Sequence, residues 1–263
     1  MSSLTITLIQ ANLFWEDKKA NLEMFQQKIE SIKEKTEIVI LPEMFNTGFS
    51  MKPELFAEKM DGETVQWMKK ISAEKKIILT GSLMIEEDGK YFNRLIWMLP
   101  TGKYGVYDKR HLFAYAHENE HYSAGNKKLI ASVKGWKINL QVCYDLRFPV
   151  WARQAPGELE NKYDLLINVA NWPEKRSLAW KTLLRARAIE NQSFVVGVNR
   201  VGEDADKISY NGGSMIIDPM GEIIYQKDDE EDVFTYTLEK EHVIETRKHF
   251  PFWKDADDFI ISD

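Results

Sequence analysis

Apolar residues recur along the chain in two rhythms, and each predicts a different kind of element. Leu4, Ile6 and Leu8 alternate with Thr5, Thr7 and Ile9, which predicts a strand over Leu4–Gln10. Leu22, Phe25, Ile29 and Ile32 follow at spacings of three and four, the stripe of an amphipathic helix that Asp17 can cap. Glu37–Leu41 is β-branched and reads as a buried strand stopped by Pro42 and Glu43. A second helix is expected over Thr64–Lys75, with Val65, Met68 and Ile71 inward. The pattern then changes to strands over Ile77–Met84, Tyr91–Leu99 and Tyr104–Tyr107. Asp88-Gly89 and Pro100-Thr101-Gly102 join them, and such turns predict antiparallel pairing.

Residues 110–126 are irregular. Strands are expected at Leu129–Val133, Trp136–Val142, Tyr163–Val169 and Phe194–Asn199, with a helix from a Ser177 cap to Asn191. Ser214–Asp218 and Glu222–Gln226 form a hairpin over Pro219-Met220-Gly221. The acidic run Asp228–Asp232 reads as a solvated loop, and the aromatic stretch ending at Trp253 shows no clear period. Repeats and linkers are lacking, so the order predicts one α/β domain with mixed sheets.

Composition narrows the function. The 263 residues are 44% hydrophobic and 29% charged, ordinary for a globule, and the net charge is −6. There is no Lys/Arg stripe for a nucleic-acid partner and no apolar run long enough to cross a bilayer. The amino terminus lacks a basic, apolar leader, and one cysteine fits a reducing compartment. The expectation is a cytoplasmic protein with no nucleic-acid or membrane partner.

That one cysteine, Cys143, sits where the strand Trp136–Val142 gives way to the polar turn Tyr144-Asp145-Leu146-Arg147, closed by Pro149. By residue type alone a lone cysteine is a small buried hydrophobe. Two other strands end in comparable fashion, at Glu43 and at Lys109, and ligand sites of layered α/β proteins gather beyond strand ends. The three side chains form a coherent kit. A thiol must lose its proton to attack a carbonyl, a carboxylate can take it, and an ammonium favours both thiolate and oxyanion. The backbone N–H of Tyr144 can add to the oxyanion site. Such a set hydrolyses a C–N bond through an acyl-thioester without a metal or other cofactor. Asp145 and Arg147 read as an ion pair bracing the turn. Against this stands the plainer reading of Glu43 and Lys109 as solvated surface charges.

Leu-Pro-Glu-Met-Phe (41–45), Tyr-Asp-Lys-Arg-His-Leu (107–112) and Val-Cys-Tyr-Asp-Leu-Arg-Phe-Pro (142–149) resemble the signature motifs of the nitrilase, or carbon–nitrogen hydrolase, superfamily. Arg-Ala-Arg-Ala-Ile-Glu-Asn (185–191) and Asp-Pro-Met-Gly-Glu (218–222) extend the likeness over nearly the whole chain. The resemblance implies Glu43 as general base, Lys109 as electrostatic stabiliser and Cys143 as nucleophile. It implies a second glutamate before a glycine, a place that Glu118, seven residues ahead of Gly125, fits better than Glu120. It implies a four-layer αββα sandwich over residues 1–263, paired into a homodimer with the segment 235–263 in the contact.

Cys-Tyr-Asp, Arg-Phe-Pro and Asn-Trp-Pro (171–173) resemble the ω-amidase branch, which hydrolyses the terminal amide of 2-oxoglutaramate or 2-oxosuccinamate to a 2-oxo diacid and ammonia. Nitrilases proper carry Cys-Trp-Glu. The implied partners are a small amide and water, and Asn171, Trp172 and Arg176 are candidate contacts for the substrate's distal carboxylate. An amidase, carbamoylase or nitrilase with another small substrate stays open, as does a non-catalytic binding member of the fold. Two further readings compete. His117-Glu118-Asn119-Glu120-His121 matches the H-E-x-x-H zinc pattern, though its flanks are poorly helical and a third ligand is lacking. His111, His117 or His121 could instead serve as base in a Cys–His mechanism.

Overall fold

Strand β1 (Ser3–Gln10) leads into helix α1 (Lys18–Glu30), whose first turn is held by Asp17 Oδ1 accepting from the Ala20 N–H at 3.0 Å. Leu22, Phe25 and Ile29 are buried, as the stripe requires, while Ile32 falls past the helix end and is only partly covered. β2 (Ile38–Ile40), the single turn α2 (Pro53–Phe56) and α3 (Glu63–Lys75) follow, with Val65, Met68 and Ile71 inward. β3 (Ile78–Glu87), β4 (Lys90–Met98) and β5 (Tyr104–Asp108) then run antiparallel. Asp88 and Gly89 turn the first hairpin at φ +53° and +73°, the left-handed pair a two-residue loop demands. This computed structural model describes residues 2–154, 157 and 162–261, so the last two residues of the segment 235–263 lie outside it.

The chain continues through α4 (Glu118–His121), β6 (Ile130–Val133), β7 (Trp136–Val142), a 3₁₀ turn over Cys143–Arg147, α5 (Pro149–Ala152) and β8 (Leu165–Val169). α6 (Ser177–Asn191), β9 (Phe194–Val198), β10 (Val201–Glu203), β11 (Ser209–Ile217), β12 (Ile223–Asp228), β13 (Asp232–Glu239) and α7 (Lys240–His249) complete it. One sheet has the order β13-β1-β2-β3-β4-β5; the other has β10-β11-β9-β8-β7-β6, with β12 on β11. In each, three parallel strands (β1, β2, β3 and β7, β8, β9) are flanked by antiparallel ones. The expected mixed sheets are therefore present.

Leu4, Ile6, Leu8, Ile38 and Ile40 of the first sheet share a core with Ile138, Leu140 and Val142 of the second. Phe25, Val65, Met68 and Ile71 cover the first sheet's outer face. On the second sheet, α6 lies so close that a Cβ on Gly197 would meet Leu184 Cδ1 at 2.5 Å and Trp180 at 2.8 Å. The layers are α, β, β, α.

Several elements depart from the pattern-based expectation. Ser177 opens α6 but makes no capping hydrogen bond. β11 begins at Ser209 rather than Ser214. The run Asp228–Asp232 is a solvated loop only in its middle: Asp228 ends β12, Asp232 begins β13, and the exposed residues between carry the chain from one sheet to the other. Glu231 there pairs with Lys28 at 3.3 Å and accepts from the Asn12 N–H at 2.9 Å. The start of the segment 235–263 is built into the fold, since β13 pairs with β1 and Arg247 of α7 donates to the Gln192 carbonyl at 2.9 Å.

Candidate active site

The parallel strands β2, β7 and β8 deliver their following residues to one side of the sandwich. Glu43 lies three residues beyond β2, Cys143 directly after β7, and Asn171 two residues after β8. Lys109 follows β5. At Glu43 the carboxylate is fully buried and fully bonded. Its Oε1 accepts from Lys109 Nζ at 2.9 Å and Asn93 Nδ2 at 2.8 Å, and its Oε2 from the Asn171 N–H at 2.8 Å. Lys109 Nζ also donates to both oxygens of Glu118, at 3.0 and 2.9 Å. Glu118 is fixed in turn by the Phe113 N–H at 2.6 Å and by Asn93 Nδ2 at 3.2 Å. The Phe49 ring covers the ammonium at 5.1 Å. Of the two candidate glutamates, Glu118 is the one bonded to Lys109; Glu120 is exposed and pairs with His117.

Burial disfavours the charge on Lys109, yet Glu118 and Glu43 outweigh it and hold its pKa above the ordinary lysine range. Glu118 is pushed upward by burial, against the pull of Lys109. Cys143 sits beside this cluster with φ +46°, a left-handed conformation rare outside glycine that turns its side chain out of the strand's plane. Burial and the nearby Glu43 charge raise its thiol pKa well above the usual range, Lys109 only partly reverses this, and Sγ lies 3.9 Å from the Asn171 carbonyl, to which it donates. Burial and Glu43 therefore both oppose ionisation of the thiol, and Lys109 favours it.

Cys143, 8% exposed, is the point where the buried cluster meets a cavity of about 280 Å³. All four expected contacts, Tyr144, Asn171, Trp172 and Arg176, line that cavity. Asn171, however, spends its side-chain Nδ2 on the Glu43 carbonyl, so it brackets Glu43 rather than offering that donor to a ligand. Phe49, Phe113 and Tyr210 complete an aromatic wall that no sequence period marked. Asn93 was likewise invisible, a lone polar residue inside β4 that gains meaning only from the two glutamates it joins.

The expected Asp145–Arg147 ion pair is not formed. Asp145 binds His111 and Tyr107, whereas the Arg147 guanidinium lies 4.9 Å over the Trp172 ring and faces the cavity. A 3₁₀ turn advances about 120° per residue, so positions two apart point to different sides. The cavity thus holds two guanidinium groups, Arg147 and Arg176, the second 5.1 Å from the Phe113 ring.

The H-E-x-x-H match dissolves into local structure. His117 is left-handed at φ +60° and precedes the one-turn helix, Glu118 is turned into the Lys109 pair, and His117 binds Glu120 at 2.9 Å. Among the described residues no trio of His, Cys, Asp or Glu is placed to hold a metal. For the Cys–His reading, His111 is committed to Asp145 at 2.8 Å and stacked on Phe148.

Known proteins resemble the chain over its whole length. The family model described as carbon–nitrogen hydrolase matches residues 5–248. The chain is 43% identical over 260 residues to Omega-amidase YafV of Escherichia coli (strain K12), covering 98% of this chain and 99% of that protein. It is 31% identical to the 2-oxoglutaramate amidase of Bacillus subtilis (strain 168), over 95% of this chain and 96% of the other. The crystal structure of XC1258 from Xanthomonas campestris, a CN-hydrolase superfamily protein with an arsenic adduct in its active site, superposes with a TM-score of 0.96 at 42% identity, over 100% of both chains. With a buried thiol, amine and carboxylates meeting under one cavity, and relatives aligned end to end, the chain belongs to the carbon–nitrogen hydrolase family.

Proposed function

We propose that the protein is a cofactor-free cysteine amidase that hydrolyses the terminal amide of a small 2-oxo acid such as 2-oxoglutaramate or 2-oxosuccinamate. The observation that carries this reading is the Lys109 ammonium clamped between Glu43 and Glu118 beside Cys143, at the floor of a cavity with two arginines. In it Glu43 takes the thiol proton as Sγ bonds to the amide carbon. Lys109 Nζ and the Tyr144 N–H stabilise the oxyanion. The tetrahedral adduct collapses as the C–N bond breaks, and the amine takes the proton from Glu43 and leaves as ammonia. Water, deprotonated by Glu43, then attacks the thioester, Sγ is released with a proton, and the 2-oxo diacid departs. Because burial and the Glu43 charge oppose the thiolate, proton transfer accompanies attack instead of preceding it. Glu118 keeps the ammonium charged and aimed.

The two guanidinium groups suit a substrate whose far end is a carboxylate next to a carbonyl, since guanidinium binds carboxylate in a fork. The names of the Escherichia coli and Bacillus subtilis relatives point to the same amide class. The test is ammonia release across 2-oxoglutaramate, 2-oxosuccinamate, glutamine, asparagine, aliphatic amides and nitriles. The 2-oxo acid amides should be turned over best, and Cys143→Ala should fold and release none. Equal rates on glutamine, or an acyl adduct on a residue other than Cys143, would overturn the assignment. A homodimer built through the C-terminal tail belongs to the same reading, supported by the exposed Phe252 and Ile260; sedimentation of a chain ending at residue 249 should then show monomer.

A further inference from the structure

Asp145 is fully buried in the turn that carries the thiol, and the chemistry above gives it no task. Its carboxylate accepts four hydrogen bonds. Oδ2 takes the Val142 N–H at 3.0 Å and the Tyr107 hydroxyl at 2.7 Å. Oδ1 takes the His111 N–H at 3.0 Å and, at 2.8 Å, His111 Nδ1. These partners form a pattern. Val142 immediately precedes Cys143, while Tyr107 and His111 stand two residues before and two after Lys109. Tyr107 Oη also accepts from the Arg110 N–H at 3.3 Å and from Trp151 Nε1 at 2.9 Å, which draws α5 into the same knot.

The location gives this pattern its meaning. Lys109 hangs from β5, the edge of one sheet, where pairing with β4 is ending. Cys143 hangs from β7 of the other sheet. The sheets share an apolar core, whose packing has no direction that would fix a sulfur-to-nitrogen distance, and the Gln10–Ser214 hydrogen bonds tie β1 to β11, not β5 to β7. Glu43 is tied across the gap by Asn171. Lys109 shares that tie only through its ammonium on Glu43; the Asp145 carboxylate adds one through the chain on either side of Lys109.

We propose that Asp145 is a positioning residue, which registers the Lys109 segment of one sheet against the Cys143 turn of the other by gripping the backbone or side chains that flank both. The proposal rests on the reading of Cys143 as nucleophile and Lys109 as its electrostatic partner. It differs from a simple Asp145–His111 ion pair, in which the Val142 and Tyr107 bonds would carry no consequence. The grip also accounts for the close packing of His111 on Phe148, ring centroids 3.8 Å apart, as the wall behind the carboxylate.

Asp145→Asn keeps the side chain's size but replaces one acceptor oxygen by a donor, so two of the four partners lose their acceptor. Displacing a reacting group by about 1 Å costs on the order of 100-fold in rate. Asp145→Asn should therefore lower kcat about 100-fold while KM stays within about threefold. The pH midpoint for alkylation of Cys143 should move upward as the ammonium is displaced from the sulfur. His111→Ala retains the backbone N–H, Tyr107 and Val142 bonds, so it should lose far less kcat than Asp145→Asn. Should Asp145→Asn fail to fold, Tyr107→Phe removes a single donor and should lower kcat about tenfold at unchanged KM. The inference is overturned if folded Asp145→Asn, or Tyr107→Phe in its place, has wild-type kcat and an unmoved alkylation profile. It is equally overturned if His111→Ala loses as much kcat as Asp145→Asn. An active Cys143→Ala would instead sink the nucleophile reading itself, whereas an inactive Cys143→Ala beside a wild-type-like Asp145→Asn sinks this inference alone.

Discussion

Lys109 Nζ lies 2.9 Å from Glu43 Oε1 although 66 residues of chain separate them, and Glu118 closes the ammonium's other side at 2.9 Å. All three side chains are out of contact with water. One cation between two carboxylates is stable in such a place only while it stays charged, because either carboxylate left alone would be an uncompensated buried charge.

Lys109→Met should therefore cost far more than a surface charge. Removing one member of a buried ion pair costs about 3–5 kcal/mol. Without the ammonium, burial and mutual repulsion raise the carboxylate pKa values in the folded state above their unfolded ones. Folded-state stability from such groups is fully present below the unfolded pKa and is lost as pH rises through the folded one. The deficit of Lys109→Met relative to wild type should thus be larger at pH 8 than at pH 5 in urea unfolding. An equal deficit at both would mean the carboxylates are not bound as described.

Asn93 offers a milder test. Its Nδ2 is shared between Glu43 and Glu118, and a leucine there fills the space but donates nothing. Hydrogen bonds to charged groups contribute about 1.5–3 kcal/mol, and each 1.36 kcal/mol is a factor of ten in rate. Asn93→Leu should lower kcat at least about tenfold with little change in KM, because Asn93 does not face the cavity. A rise in KM alone would show that Asn93 reaches the substrate after all.

How much of this was readable beforehand depended on whether an element announces itself locally. α1 and α3 did, since Leu22, Phe25 and Ile29, then Val65, Met68 and Ile71, repeat at helical spacing and are all buried. The strand-end placing of Glu43, Lys109 and Cys143 was legible because strand, stop and polar residue are adjacent in sequence. β13 was missed because its half-buried Val233, Phe234 and Tyr236 sit against an acidic run that reads as loop. α7 was missed because only Val243, Thr246 and Arg247 of its ten residues are buried, which leaves no apolar stripe. Asp145 and Arg147 were paired by proximity in sequence, and the 3₁₀ turn separates them. The Asp145–His111 bond spans 34 residues and two sheets, so no local signal could have marked it.

Arg147 is the residue whose role changes most between sequence and structure, and substrate preference can check it. If its guanidinium holds the distal carboxylate, Arg147→Met should forfeit about 1.5–3 kcal/mol of charge-assisted bonding. KM for 2-oxoglutaramate should then rise by about 10- to 100-fold. Turnover of a short aliphatic amide, which has no carboxylate, should stay near the wild-type value. If both substrates suffer alike, Arg147 supports the turn and does not read the substrate.

Glu43→Gln separates proton transfer from thiol reactivity, because the two should move in opposite directions. In the wild type, burial and the Glu43 charge raise the Cys143 pKa, while Lys109 lowers it. Glutamine removes the negative neighbour and leaves the ammonium, so the thiol pKa must fall and more thiolate is present at neutral pH. Each unit of fall gives about tenfold more thiolate, and intrinsic nucleophilicity declines by roughly threefold, with a Brønsted coefficient near 0.4–0.5. The net effect on iodoacetamide labelling is a gain of about threefold per unit. Amide hydrolysis needs a base to accept the thiol proton and later to activate water, steps worth about 10²–10⁴-fold together with their geometry. Glu43→Gln should therefore label faster than wild type at pH 7 yet release ammonia at least about 100-fold more slowly. Labelling that slows in step with turnover would show that Glu43 only supports the thiol's surroundings and is not its base.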